Sequence, residues 1–122
     1  MPKILIVEDD QDTRQLLKIR LEASGYETGF AVDAIGAIGA ARDERPDLIL
    51  LDFGLPGGDG LVVMERLKIF PALAHIPVIV VSAREPTTTG QRALLAGAHS
   101  FLQKPIDNEA LLAAIHSALH DQ

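Results

Sequence analysis

Short apolar segments that end at polar residues are the feature that most constrains the fold of this chain. There are four of them: 4–7 before Glu8 and Asp9, 48–51 before Asp52, 78–81 before Ser82, and 101–103 before Lys104. Continuous apolar segments of this length are typical of strands buried on both faces, as in a parallel sheet. Because the carboxyl ends of such strands lie on one edge, we expect these polar side chains to meet in one crevice.

Helix-like stretches separate the apolar segments along the whole chain. We predict helices at about 11–24, 33–44, 61–70, 86–96 and after 107, and a further strand at about 26–32. Five βα units with short connections and no spare linker predict one α/β domain over residues 1–122. Since right-handed crossovers place helices on both faces of a sheet, the expected architecture is a (βα)5 three-layer sandwich. A closed eight-stranded barrel would need about twice as many residues.

Local sequence features refine these helices. Aspartates at the predicted helix starts are interpreted as caps: Asp10 or Asp12, then Asp33, then Asp107. In the third helix, Val63, Leu67 and Phe70 are expected to share one apolar stripe. The second helix contains Gly36 and Gly39, each of which costs roughly 1 kcal/mol relative to alanine. Either these glycines permit close packing or this helix is soft.

Composition excludes several classes of protein. The chain has 122 residues and no cysteine, so it has neither disulfides nor thiolate metal sites, which fits a reducing cytoplasm. No apolar run approaches the roughly 18 residues needed to span a bilayer, and the start does not resemble a signal peptide. The net charge of −6 disfavours nucleic acid and anionic lipid as direct ligands. We therefore expect a cytoplasmic protein that binds neither membrane nor nucleic acid.

The turn after the first strand is acidic rather than glycine-rich. Carboxylates repel phosphate, so a phosphoryl group at Glu8, Asp9 and Asp52 requires a bridging cation. Oxygen ligands together with phosphate favour Mg²⁺ over zinc. Two carboxylates about 5 Å apart repel by roughly 3 kcal/mol at an effective dielectric of 20, which predicts a raised carboxyl pKa without metal. A carboxylate is also a nucleophile toward phosphorus, and Lys104 and Ser82 can stabilise the added phosphoryl charge.

At these residues the chain resembles the receiver domains of two-component response regulators, over essentially its whole length. The matching elements are residues 4–10, Asp52 with residues 55–60, residues 81–83, residues 96–98, and residues 101–105. The resemblance implies a flavodoxin-like fold, with five parallel strands in the order 2-1-3-4-5. It also implies a phosphorylation-dependent switch that takes its phosphoryl group from a histidine kinase or a histidine phosphotransfer protein. Such a switch catalyses only its own phosphorylation and dephosphorylation.

The resemblance also implies a role for each site residue. Asp52 is the expected phosphoacceptor, and Ser82 and Lys104 are expected to contact the phosphoryl group. Mg²⁺ is expected to bind Asp9, Asp52 and the backbone carbonyl of Gly54, with Glu8 acting through water. Ser82 and Phe101 match the switch positions, and Lys104-Pro105 matches a cis peptide of the family.

Phe101 departs from the family pattern, and the positions of Gly54 and Arg84 flank the expected phosphorylation site. Phe101 lacks the hydroxyl of the tyrosine that is common there, a loss of roughly 1 kcal/mol in the inward orientation. Gly54 leaves one flank of the site open, and Arg84 is expected to cover the other.

The soft turn of residues 87–90 precedes the face formed by helix 4, strand 5 and helix 5, through which the family contacts partners. Phosphorylation is expected to shift this face, and homodimerisation through it is left open.

Simpler interpretations apply to several other polar residues. Asp59 is expected to serve its own turn, and His75 and His99 to lie in loops. His116 and His120 have zinc-ligand spacing, yet a histidine near a helix C-terminus also suits the helix dipole. Two other functions remain open: a binding module that does not depend on phosphorylation, and a Mg²⁺-dependent phosphatase. The phosphatase would want an acid at position 54, where this chain has glycine. The output domain or target protein is unknown.

Overall fold

The apolar segments of the sequence form a parallel sheet, with helices in the intervals between them. The computed structural model describes residues 1–54, 60–83 and 86–120. The strands are β1 (Lys3–Val7), β2 (Glu27–Ala31), β3 (Leu48–Asp52), β4 (Val78–Ser82) and β5 (Ser100–Gln103). The helices are α1 (Gln11–Ala23), α2 (Ala34–Glu44), α3 (Gly60–Ile69), α4 (Pro86–Leu95) and α5 (Asn108–His120).

The strand order is β2-β1-β3-β4-β5, and all pairs are parallel. This confirms the predicted flavodoxin-like α/β fold. Because side chains alternate across a strand, the sheet buries a separate apolar layer on each face. One layer joins the sheet to α1 and α5, through Leu17, Leu21, Leu111, Ile115 and Ala118. The other joins it to α2, α3 and α4, through Ala37, Ala41, Val63, Leu67 and Ala93.

The predicted aspartate caps are confirmed. Asp10, not Asp12, is the N-cap of α1, and its Oδ2 accepts the N–H of Thr13 at 2.9 Å. Asp33 accepts the N–H of Gly36 at 2.7 Å, and Asp107 accepts the N–H of Ala110 at 2.9 Å. Each cap satisfies a backbone donor that the first turn of a helix leaves free. The helix starts are therefore encoded locally.

The third helix ends earlier than predicted. Phe70 lies just beyond α3 and is 42% exposed, so it does not share the buried stripe of Val63 and Leu67. The wrong prediction followed helical periodicity past the last helical turn. In α2, a Cβ on Gly39 would meet nothing closer than Arg42 at 4.0 Å, and a Cβ on Gly36 would meet only the cap side chain of Asp33 within 3.4 Å. These two glycines therefore do not serve close packing between elements.

Across the described residues, no helix has both the length and the apolar character needed to cross a bilayer.

Candidate functional site

The register of the strands brings the polar residues together at the carboxyl edge of the sheet. Val7 lies opposite Leu51, so Glu8 and Asp52 follow on neighbouring strands. Ser82 lies opposite Gln103 on β5, and the N–H of Lys104 donates to the Ser82 carbonyl at 2.8 Å. The crevice expected from the sequence therefore forms from four adjacent strands.

Three carboxylates meet at this edge. Glu8, Asp9 and Asp52 each offer an oxygen, and these oxygens lie within 4.8 Å of one another. Glu8 and Asp52 are buried, whereas Asp9 is exposed to solvent. The predicted gathering of the three acids is thus observed, with one of them at the mouth of the crevice.

Lys104 bridges the two buried acids. Its Nζ lies 2.7 Å from Glu8 Oε1 and 3.4 Å from Asp52 Oδ2. Burial alone would lower the pKa of the Lys104 ammonium, but the hydrogen bond to Glu8 and the charge of Asp52 outweigh it and raise the pKa. The ammonium therefore stays charged and partly neutralises the acids.

Glu8 has the perturbed carboxyl group expected from the sequence. Burial raises the pKa of Glu8 above its ordinary 4.5, and the neighbouring charge of Asp52 raises it further, while the hydrogen bond from Lys104 lowers it. The largest cause is desolvation, whereas the sequence predicted repulsion between acids. Glu8 Oε2 also accepts the N–H of Asp10 at 3.2 Å.

Asp52 is held by donors on both of its oxygens. Oδ1 accepts the N–H of Gly54 at 3.0 Å, and Oδ2 faces Lys104. Gly54 is exposed, whereas Asp52 itself is only 6% exposed. Donors on both oxygens therefore hold the carboxylate in a fixed orientation at the end of β3.

The donor set fits Mg²⁺. Carboxylate oxygens are the ligands that hard cations prefer, and Mg²⁺ retains several waters, which the exposed Asp9 side of the cluster can accommodate. Three carboxylates against one ammonium also leave negative charge that a divalent cation would neutralise. Asp9 and Asp52, with Glu8 behind them, are the residues that would hold the ion.

Comparison with known proteins identifies the family. A family model described as "Response regulator receiver domain" matches residues 4–116. The chain belongs to the response regulator receiver family. The receiver resemblance inferred from the sequence is therefore confirmed.

Three similar proteins illustrate the range of the family. The polar-differentiation response regulator DivK of Brucella anthropi is 40% identical over 122 residues, covering 99% of this chain and 99% of the relative. The response regulator PleD of Caulobacter vibrioides is 39% identical over 115 residues, 94% of this chain but 25% of the relative. A solved CheY-like receiver domain protein from Methanospirillum hungatei has a TM-score of 0.89 at 30% identity, covering 99% of this chain and 95% of that chain.

This receiver domain thus spans nearly all of DivK but only about a quarter of PleD. The activities of the longer relatives belong to those proteins. This chain shares with its relatives the receiver fold and a general place in two-component signalling.

Two structural features of the receiver site were missed from the sequence. The buried ion pair between Glu8 and Lys104 was not anticipated, because residues 96 positions apart in the chain reveal no contact in one sequence. The second is the close packing of Gly60 against Phe53. A Cβ at Gly60 would lie 2.5 Å from Phe53 Cδ1 and 2.8 Å from Phe53 Cα. A glycine at a predicted helix start was the only available signal for it.

The switch role of Ser82 and Phe101 stays a prediction, and the structure gives the surroundings of both residues. Ser82 is buried at the end of β4, and Phe101 is half-buried on β5. A Cβ on Gly90 of α4 would be 3.4 Å from the Phe101 ring, so the ring packs against this helix. The Lys104-Pro105 peptide is cis, as expected.

The remaining predictions divide into two groups. Asp59 and Arg84 lie outside the described residues. His116 and His120 are exposed on α5 with ring centroids 4.3 Å apart. Among the described residues, the cluster of three metal-type ligands contains neither of them.

Proposed function

We propose that this receiver domain is a phosphorylation-dependent switch in which Asp52 accepts a phosphoryl group. The observation that carries the proposal is the joint placement of Glu8, Asp9, Asp52 and Lys104 at one strand edge. The donor would be a phosphohistidine on a histidine kinase or a histidine phosphotransfer protein. We also propose that residues 1–122 form one receiver domain; its cytoplasmic location stays a prediction.

The chemistry follows from the arrangement of the side chains. An oxygen of Asp52 attacks phosphorus, a P–O bond forms and the P–N bond to the donor imidazole breaks. The imidazole, already protonated on its other ring nitrogen, leaves as a neutral ring. Bound Mg²⁺ would supply charge neutralisation between the acids and the phosphoryl oxygens. Lys104 already faces Asp52 Oδ2 at 3.4 Å, so a short shift away from Glu8 would pair it with the new phosphoryl charge. Catalysis is then mainly positioning and electrostatics.

Phosphorylation would add about one negative charge at a buried strand end. The proposed response is that Ser82 moves toward the phosphoryl group, the following segment moves with it, and Phe101 repacks. Support comes from the contact between Phe101 and α4 and from the direct pairing of β4 with β5. The face of α4, β5 and α5 would then change its affinity for an output domain, a target protein or a second copy.

Acetyl phosphate with Mg²⁺ tests the proposal directly. Intact-mass spectrometry should show a reversible gain of about 80 Da, lost in Asp52→Asn and retained in a matched Asp47→Asn control on the opposite edge. Steady release of phosphate without accumulation would indicate the phosphatase alternative. No reaction in a folded protein would favour the phosphorylation-independent binding module.

Beryllofluoride with Mg²⁺ tests the conformational part. Amide shifts in α4 and β5 should change, while those in β2 stay largely constant. If α4 and β5 do not respond although the site is occupied, the proposed coupling through Ser82 and Phe101 is wrong.

A further inference from the structure

A groove of about 580 Å³ lies at the end of the sheet opposite to the acid cluster. It is formed by the end of α2, residues 45–47 that lead into β3, and residues 70–76 after α3. One strand length, about 13 Å for the four steps of β3, separates this edge from Asp52. The volume falls within the range of about 300–1,000 Å³ that is typical of small-molecule sites.

The floor of the groove is apolar and fixed by the core. Leu73 and Ile76 are buried, and Ile38 is half-buried against the same core layer. Phe70, which was predicted to share the apolar stripe of α3, is 42% exposed and lies in the wall of the groove. An exposed aromatic ring above an apolar floor favours a planar apolar body as the occupant.

The charged residues at the rim of the groove are mainly basic, although the protein as a whole is acidic. The chain carries a net charge of −6, yet Arg42, Arg45 and His75 line this groove together with a single acid, Asp47. That acid already accepts the backbone N–H of Lys3 at 2.8 Å. Within the described residues, the Arg45 guanidinium makes no ion pair. Arg45 therefore offers an unpaired guanidinium to an anion, whereas Arg42 makes a loose, exposed pair in which its Nε lies 3.8 Å from Asp43 Oδ1.

The backbone at Arg45 supports a role for its side chain. Arg45 is the C-cap of α2 and has a φ of 49°, in the left-handed region. Glycine or asparagine is the favoured residue in this conformation, and a larger side chain is strained there. The helix dipole alone does not explain an arginine at this position, because Arg42 already provides a cation in the last turn.

We propose that this groove binds a small planar aromatic anion. Its ring would lie on Leu73 and Ile76 beside Phe70, and its carboxylate or phosphate would pair with Arg45 and Arg42. Guanidinium groups suit both anions because they can donate two parallel hydrogen bonds. The proposal does not depend on phosphorylation of Asp52.

Methyl NMR titration of isoleucine-labelled protein tests this site with three probes. They are 2-naphthoate, 2-naphthyl phosphate and the neutral 2-naphthamide. Ile38 and Ile76 should shift saturably with the anions, while Ile115 on the far face of the sheet stays constant. Naphthamide should bind at least about tenfold more weakly than naphthoate. A preference between the carboxylate and the phosphate identifies the headgroup.

Arg45→Gly is the decisive variant, since it removes the guanidinium and relieves the backbone strain together. Its unfolding midpoint should not fall, yet naphthoate should bind about tenfold more weakly. Arg66→Gln, the same loss of charge at an exposed position of α3 outside the groove, should change affinity by less than about twofold. Asp52→Asn should bind as the wild type does.

Several results would overturn the proposal. Equal affinity for naphthamide would show apolar adsorption, and equal losses in Arg45→Gly and Arg66→Gln would show nonspecific attraction. Absence of shifts at Ile38 and Ile76 would exclude the groove as the binding site.

Discussion

Replacing Lys104 by methionine should destabilise the protein in a strongly pH-dependent way. Lys104 is the cation that bridges Glu8 at 2.7 Å and Asp52 at 3.4 Å. Methionine keeps an unbranched side chain but leaves two buried acids without a cationic partner. Breaking a buried pair in this way typically costs about 3–5 kcal/mol.

Proton uptake by Glu8 limits that cost. The ordinary pKa of Glu8 is 4.5, and each pH unit above the ordinary value costs about 1.36 kcal/mol for a group held neutral. Holding Glu8 neutral therefore costs about 3.4 kcal/mol at pH 7 and about 0.7 kcal/mol at pH 5. We expect a loss of about 3 kcal/mol at pH 7 that shrinks by about 2 kcal/mol or more at pH 5.

The direction follows from linkage. The pKa of Glu8 is raised in the folded state, so its favourable contribution is complete below 4.5 and is lost as the pH rises through the folded pKa. Removing Lys104 raises the pKa of Glu8 further, which widens the pH range over which stability is lost. Mg²⁺ should restore part of the stability at pH 7 by neutralising the same acids.

Urea unfolding at both pH values, with and without Mg²⁺, measures these changes. Lys18→Met, an exposed lysine of α1, is the matched control and should lose less than about 0.5 kcal/mol. An equal loss for Lys104→Met at pH 5 and pH 7 would refute the electrostatic explanation and point to lost packing. No loss at pH 7 would show that the buried acids need no cation.

Asp9→Asn should weaken Mg²⁺ binding by about tenfold or more in a calorimetric titration while leaving stability nearly unchanged, because this ligand is exposed. Gly60→Ala should cost about 1–3 kcal/mol in urea unfolding, since its Cβ would lie 2.8 Å from Phe53 Cα. Gly39→Ala, with no atom nearer than 4.0 Å, should instead gain about 0.5–1 kcal/mol, and equal effects of the two glycine variants would contradict the packing argument. Ser100→Ala should be neutral or stabilise by about 1 kcal/mol, because the Ser100 hydroxyl is buried without a hydrogen-bond partner among the described residues; a clear loss would show that it has one.

The sequence by itself determined the elements and the edge at which the site forms. Apolar runs fix buried strands, aspartate caps fix helix starts, and a parallel sheet places all carboxyl ends together. These are short-range patterns, so the predicted end of β5 at Gln103 and the caps of α1, α2 and α5 match the structure. Phe70 shows the limit, because periodicity does not reveal where a helix stops contacting the core.

Tertiary structure decided which of the gathered side chains interact and how far each is buried. It paired Lys104 with Glu8 more closely than with Asp52, and it made desolvation the main cause of the raised pKa of Glu8. It also left Arg45 and Phe70 facing a groove at the opposite edge. Desolvation and ion pairing depend on atoms that are distant in the chain, so they are fixed only when the sheet and helices have packed.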